Sequence, residues 1–141
     1  MPLYFAYGSN MSSERLAARL GRVVDFGWAT LHGHRHRFEK LGADGSGKGN
    51  IVAHTGGVVH GVLYAISAAQ LEVLHGFEGG YHAVELEVVH RVAGARMHAV
   101  TYQAIAPVGE MRPTADYLAH YERGMREHGL PDGYIRLVLS I

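Results

Sequence analysis

The sequence predicts an α+β domain in which short strands dominate and short helices are inserted between them. Three observations lead there. Strand-like segments follow one another with glycine corners between them. Helical segments do not alternate regularly with the strands, which argues against a doubly wound sheet. The chain has 141 residues, enough for a single domain over 1–141 that buries about two thirds of its unfolded surface. Consecutive short strands with glycine corners also permit a closed or nearly closed barrel.

Leu3-Tyr4-Phe5-Ala6-Tyr7 is aromatic and apolar and reads as a buried strand. It runs into Gly8-Ser9-Asn10 and then a helix over about Ser12–Leu20, with Leu16 and Leu20 on one face and Gly21 at its end. Val23 to Phe38 reads as extended, with breaks at Gly27 and Gly33; Gly42 to Asn50 reads as a flexible glycine-rich loop. Ile51–His54 and Val58–Ala65 are expected as two strands joined by a turn at Thr55-Gly56-Gly57. Ser67 and Gln70 form a capping box for a short helix carrying Leu71 and Leu74.

Phe77 to Gly80 is the next expected turn. Tyr81 to Arg91 alternates, with His82, Val84, Leu86 and Val88 on one face, and pairs with Arg96–Ile105 across Ala93-Gly94. Pro113-Thr114 opens the longest helix, to about His128, with Tyr117, Leu118, Tyr121 and Met125 at helical spacing. Asp132 to Ile141 is a last short element, helix or strand. The count is six or seven strands and three or four helices.

Composition removes several functions. Thirteen basic residues balance 13 acidic ones, which argues against a nucleic-acid module that works by phosphate neutralisation. There are no cysteines, which excludes disulfide scaffolds, thiolate metal sites and thiol nucleophiles. No apolar run reaches the ~18–20 residues of a membrane span, and Met1 to Tyr7 lacks the features of a secretory signal. A cytoplasmic protein with no membrane partner is expected. Glycine supplies 19 residues, about twice the usual share, and histidine supplies 11.

Four patterns could carry chemistry. Gly42-x-x-x-x-Gly47-Lys48-Gly49 nearly matches a phosphate loop, but the Ser/Thr is missing and a strand follows instead of a helix, so a hairpin loop is expected. His32, His34 and His36 could share a strand face. Neighbours there stand nearly 7 Å apart, by a rise of ~3.3 Å per residue, which suits a solvated face better than a metal site. Glu78 stands alone behind Leu71, Leu74 and Phe77 and ahead of Tyr81. A carboxyl in such surroundings has a raised pKa and can act as a general base near neutrality, unless the turn leaves it in water. Tyr7-Gly8-Ser9-Asn10 joins a strand to a helix, where main-chain N–H groups can hold a carboxylate or an oxyanion; the plain alternative is an ordinary turn with Asn10 or Ser12 as cap. Ser9 as a nucleophile lacks the G-x-S-x-G setting.

Taken together, these segments resemble the γ-glutamylcyclotransferase family, which includes the AIG2-like proteins. The resemblance runs in order through YFAYGSNM (Tyr4–Met11), GVLYAIS (Gly61–Ser67), LEVLHGFEGGYHAVELEV (Leu71–Val88), VTYQA (Val100–Ala104) and REHGLPDGYI (Arg126–Ile135). It implies a compact mixed β-barrel flanked by short helices, with a ligand pocket beside the YGSN loop. It implies a reaction in which the α-amine of a small γ-glutamyl substrate attacks its own γ-carbonyl, giving 5-oxoproline and a free amine, with no cofactor and no metal. Glu78 would be the general acid and base. Tyr7, Gly8, Ser9 and Asn10 would bind the substrate carboxylate or the oxyanion, and Tyr81 and Tyr102 would line the pocket. His75 stands where many members carry an acidic residue. The chain would work as a monomer or homodimer. The competing expectations are a non-catalytic small-molecule or metal-binding protein on the same fold, and hydrolysis at Ser9.

Overall fold

The computed structural model describes residues 1–140. Its elements are β1 (Leu3–Ala6), a 3-10 turn (Ser9–Met11), α1 (Ser13–Leu20), β2 (Val24–Leu41), β3 (Gly47–Ala65), α2 (Ala68–Phe77), β4 (Tyr81–His90), β5 (Arg96–Ala104), α3 (Ala115–Glu127) and α4 (Asp132–Leu139). Five strands close a barrel in the order β1-β3-β2-β4-β5. Every pairing is antiparallel except β1 with β5, which meet in parallel at Tyr4 and Val100. The barrel is therefore mixed, and the four helices flank it.

The strand count is lower than the sequence predicts because β2 and β3 do not stop at their glycines. His32 pairs with Val58 and His34 with Ala53, so Gly33 faces the four residues 54–57 in a wide bulge. Gly33 and Gly56 take φ of 75° and 78° there, a conformation open to glycine at little cost. The expected turn at Thr55-Gly56-Gly57 is this bulge. Likewise Gly47 to Asn50 belong to β3, and the flexible loop shrinks to the hairpin tip ahead of it. Phe77 ends α2 and does not open a turn. Asp132–Leu139 is helical, and Ile141 lies outside the described residues.

The helix ends follow local chemistry. Ser12 accepts from the Arg15 N–H at the start of α1, Ser67 and Gln70 form the capping box of α2, and Thr114 accepts from the Tyr117 N–H at the start of α3. Strand alternation then separates two cores. Phe5, Tyr7, Ala29, Leu31, Ile51, Val59, Leu63, Val88 and Ala99 cluster within the barrel. Tyr4, Ala6, Val62, Tyr64 and Tyr102 face the other way and pack with Met11, Leu16, Leu74, Tyr121 and Met125 of the turn and helices. Gly124 lets α3 approach the 3-10 turn closely, since a Cβ there would overlap the main chain of Met11 and Ser12. No helix among the described residues is long and apolar enough to cross a membrane.

Candidate active site

A cavity of about 340 Å³ opens where β1 runs into the 3-10 turn. The residues that the resemblance assigns to the site all line it: Tyr7, Gly8, Ser9, Asn10, Glu78, Tyr81 and Tyr102; His32, His34 and His36 do not. The turn is held from outside the cavity, where the Tyr64 hydroxyl donates to the Met11 carbonyl at 3.0 Å. Among the described residues, the N–H groups of Gly8, Ser9 and Asn10 have no hydrogen-bond acceptor. Three free main-chain donors in succession, on residues that line the cavity, are groups suited to holding an anion.

Glu78 follows the last turn of α2, and its N–H closes on the His75 carbonyl. Burial pushes its carboxyl up to about 7, although Arg19, Lys40 and Arg15 pull in the other direction. A carboxyl with that pKa is half protonated at neutrality, so it can take a proton and return it at similar cost.

Tyrosines form the walls, and each hydroxyl has a partner. Tyr7 donates to the Tyr102 carbonyl at 2.6 Å, and Tyr102 in turn bonds His75 Nδ1 at 2.6 Å. Gly49 is clamped on both sides: its N–H donates to the Tyr117 hydroxyl at 3.1 Å, and its carbonyl accepts from Tyr81 at 2.6 Å. Burial raises the pKa of Tyr81 and Tyr102 beyond reach of ordinary pH, so these groups stay neutral.

The sequence did not single out four further lining residues, Arg15, Arg19, Lys40 and Tyr117, and it set Lys48 aside with the hairpin loop. Arg15 and Arg19 are one helical turn apart on α1, so an i, i+4 basic pair was a usable signal. They donate to Ser9 Oγ at 3.0 Å and to Asn10 Oδ1 at 3.2 Å, fastening the two side chains of the turn. No local pattern marked Lys40, and Tyr117 was marked only as an apolar position of a helix.

The histidine strand behaves differently from a metal site. His34 Nδ1 bonds the carbonyl of His32, and His36 turns inward among Tyr7, Phe38 and Tyr121. His36 Nε2 bonds the Tyr121 hydroxyl at 2.8 Å, and burial lowers its pKa to about 3. The bulge at Gly33 breaks the alternation that would have aligned the three rings. The described metal-type donors that do cluster are Asp25, Glu127 and His128. There His128 bridges the Gly124 carbonyl at 2.7 Å and Asp25 at 2.6 Å, and Ser13 donates its N–H to Glu127 at 3.0 Å. This ties the end of α3 to β2 and α1.

The family model for gamma-glutamyl cyclotransferase, AIG2-like, matches residues 4–125. The chain belongs to that family. Among solved structures, this family member is similar to an uncharacterized protein from Homo sapiens, at 27% identity and a TM-score of 0.90, over 99% of this chain and 86% of that one. It is similar to a gamma-glutamyl cyclotransferase at 25% identity and a TM-score of 0.87, over 99% and 87% of the two chains. A yeast gamma-glutamyl cyclotransferase specific to glutathione shares the fold at 14% identity and a TM-score of 0.68, over 99% and 94%. No curated protein matches the chain.

Proposed function

We propose that this member of the family cyclises a γ-glutamyl amine or γ-glutamyl amino acid to 5-oxoproline and the free amine. The observation that carries this is the pairing of one carboxyl of pKa about 7 with three unsatisfied N–H donors in a single cavity.

The substrate supplies both reactants. Its α-ammonium gives a proton to Glu78, and the freed amine attacks the γ-carbonyl carbon. A C–N bond forms, and the carbonyl oxygen gains charge. The N–H groups of Gly8, Ser9 and Asn10 stabilise that oxyanion or hold the α-carboxylate; donors fixed before the reaction cost no reorganisation during it. Glu78 returns its proton to the departing nitrogen as the original C–N bond breaks; the ring nitrogen then gives up its second proton to the released amine, which leaves as an ammonium ion, and no water is consumed. Ring closure is intramolecular, so holding the extended chain in a bent shape between Tyr81 and Tyr102 removes much of the entropic barrier.

The test is mass-spectrometric detection of products from a panel of γ-glutamyl amines and amino acids. Equal amounts of 5-oxoproline and free amine are expected from the wild type, and neither from Glu78→Gln. Release of glutamate would favour hydrolysis at Ser9 and overturn the cyclisation. No product from any substrate, with the protein folded, would favour a binding protein on this fold.

A further inference from the structure

Glu78 and three N–H groups account for the glutamyl end of the substrate, yet four cations line the same cavity. Among its lining residues Glu78 is the single carboxylate. Arg15 and Arg19 bond the turn itself, through Ser9 and Asn10, and so belong to the end where the glutamyl group is held. Lys40 and Lys48 stand around the clamped Gly49 instead, with Lys40 also near enough to Glu78 to pull on its carboxyl. The Lys40 ammonium lies 5.2 Å from the centre of the Tyr81 ring, and the Lys48 ammonium lies 4.4 Å from that of Tyr117.

These two lysines are direct cross-strand partners in the β2–β3 ladder. Like charges placed opposite one another on a sheet destabilise it. Here both stems turn into one cavity, where glycines leave room for them. A Cβ on Gly42 would come within 2.6 Å of Lys48 Cε, and one on Gly80 within 2.6 Å of Lys40 Cε. Lys40 has no carboxylate within 4 Å among the described residues. Lys48 has Asp44 at 3.4 Å, but that side chain is 53% exposed and is already bonded by the Ser46 N–H and hydroxyl. A γ-glutamyl group brings an ammonium and a carboxylate that cancel. The uncompensated positive charge therefore falls on the part of the substrate beyond the scissile bond.

We propose that Lys40 and Lys48 clamp a carboxylate on the leaving amine, so that the protein prefers γ-glutamyl conjugates whose amine portion carries a carboxylate over those whose amine portion carries none. This rests on the cyclotransferase reading above. An anion between the two ammonium groups relieves their repulsion and is shielded from water by the rings on which they lie.

The experiment compares kcat/KM for γ-glutamylglycine and γ-glutamylglycinamide, which differ in the carboxylate alone. The ratio is then compared between wild type, Lys40→Met, Lys48→Met and the double variant, so that the intrinsic reactivity of the two amines cancels. A charged hydrogen-bonded contact commonly changes such a ratio by ~10- to 100-fold. The acid is expected to lead by at least about tenfold in the wild type, each single variant to lower the ratio, and the double variant to bring it to about one. Lys48→Arg should retain the preference. The methionine variants should melt no lower than wild type, because they remove a like-charged pair; a merely structural role for the lysines predicts a lower midpoint. Equal ratios in wild type and double variant would overturn the clamp and leave the cyclotransferase reading standing. No turnover of either compound by folded wild type would overturn both.

Discussion

The barrel interior and the layer outside it are equally buried and chemically opposite. Inside, Leu31, Ile51, Val59, Leu63 and Val88 meet Phe5, and the polar Thr101 is satisfied by donating to the Phe5 carbonyl at 2.8 Å. Outside, Tyr4, Tyr64, Tyr102 and Tyr121 bring hydroxyls into the contact with the helices. Five strands enclose less space than the eight that only just hold side chains, so the interior fills itself and leaves no room for a ligand. The cavity forms at the barrel's end, where tyrosines, glycines and the helix α1 meet. Apolar side chains fill one region, while paired hydroxyls, free N–H groups and one carboxyl line the cavity in the other.

The largest expected effect belongs to the outer region. Glu78→Gln should lower 5-oxoproline formation by about 10³-fold, roughly 4 kcal/mol of barrier, as general acid–base groups commonly contribute. The same substitution should stabilise the fold at high pH. A carboxyl whose pKa is raised from 4.5 to about 7 favours the folded state below pH 4.5, and that contribution is lost as pH rises through 7. Denaturant unfolding at pH 9 should show the variant more stable by roughly 2–3 kcal/mol, with no gain at pH 4. A loss of stability at both values would erase the distinction between the regions.

Next comes the interior. Leu63 is fully buried, and Leu63→Ala should cost about 3 kcal/mol in unfolding free energy. Below its transition the variant should keep kcat/KM within about twofold, because nothing that lines the cavity changes. A large kinetic loss would couple the two regions.

His36 tests the seam between them. Its pKa is lowered to about 3 by burial, so its contribution is full above the unfolded value near 6.5 and is lost as pH falls from there. Wild type should lose about 2 kcal/mol more than His36→Gln between pH 6.5 and 5, since the amide can still accept from Tyr121 without charging. Parallel stability curves would remove that role. The smallest effect is expected at His34, whose ring bonds the His32 carbonyl at the surface. His34→Ala should change unfolding free energy by less than about 0.5 kcal/mol, and loss of 5-oxoproline formation there would restore the histidine strand as a functional element.

Local patterns in the sequence are enough to place β1, the capped starts of α1, α2 and α3, and the β4–β5 hairpin, because alternation, helical spacing and caps are properties of neighbouring residues. They also mark Tyr7 to Asn10 and Glu78, each beside a recognisable turn; the family resemblance alone marks Tyr81 and Tyr102. Gly33 and Gly56 misled for a physical reason: a positive-φ glycine makes a turn when the chain is alone and a bulge when a long partner strand runs past it. Lys40 and Lys48 enter the cavity through a cross-strand register, and Tyr117 through the docking of α3, neither of which a local pattern records.

What the sequence determined by itself was the kind of elements, the family, and the candidate residues that prove to share one cavity. What the tertiary structure alone decided was their state. The assembly of the turn, α1 and the tyrosines around one cavity buries Glu78 and so raises its pKa. Antiparallel pairing of β2 with β3 sets two like charges side by side. Both depend on residues distant in the chain, and burial and Coulomb forces act through space, not along the backbone.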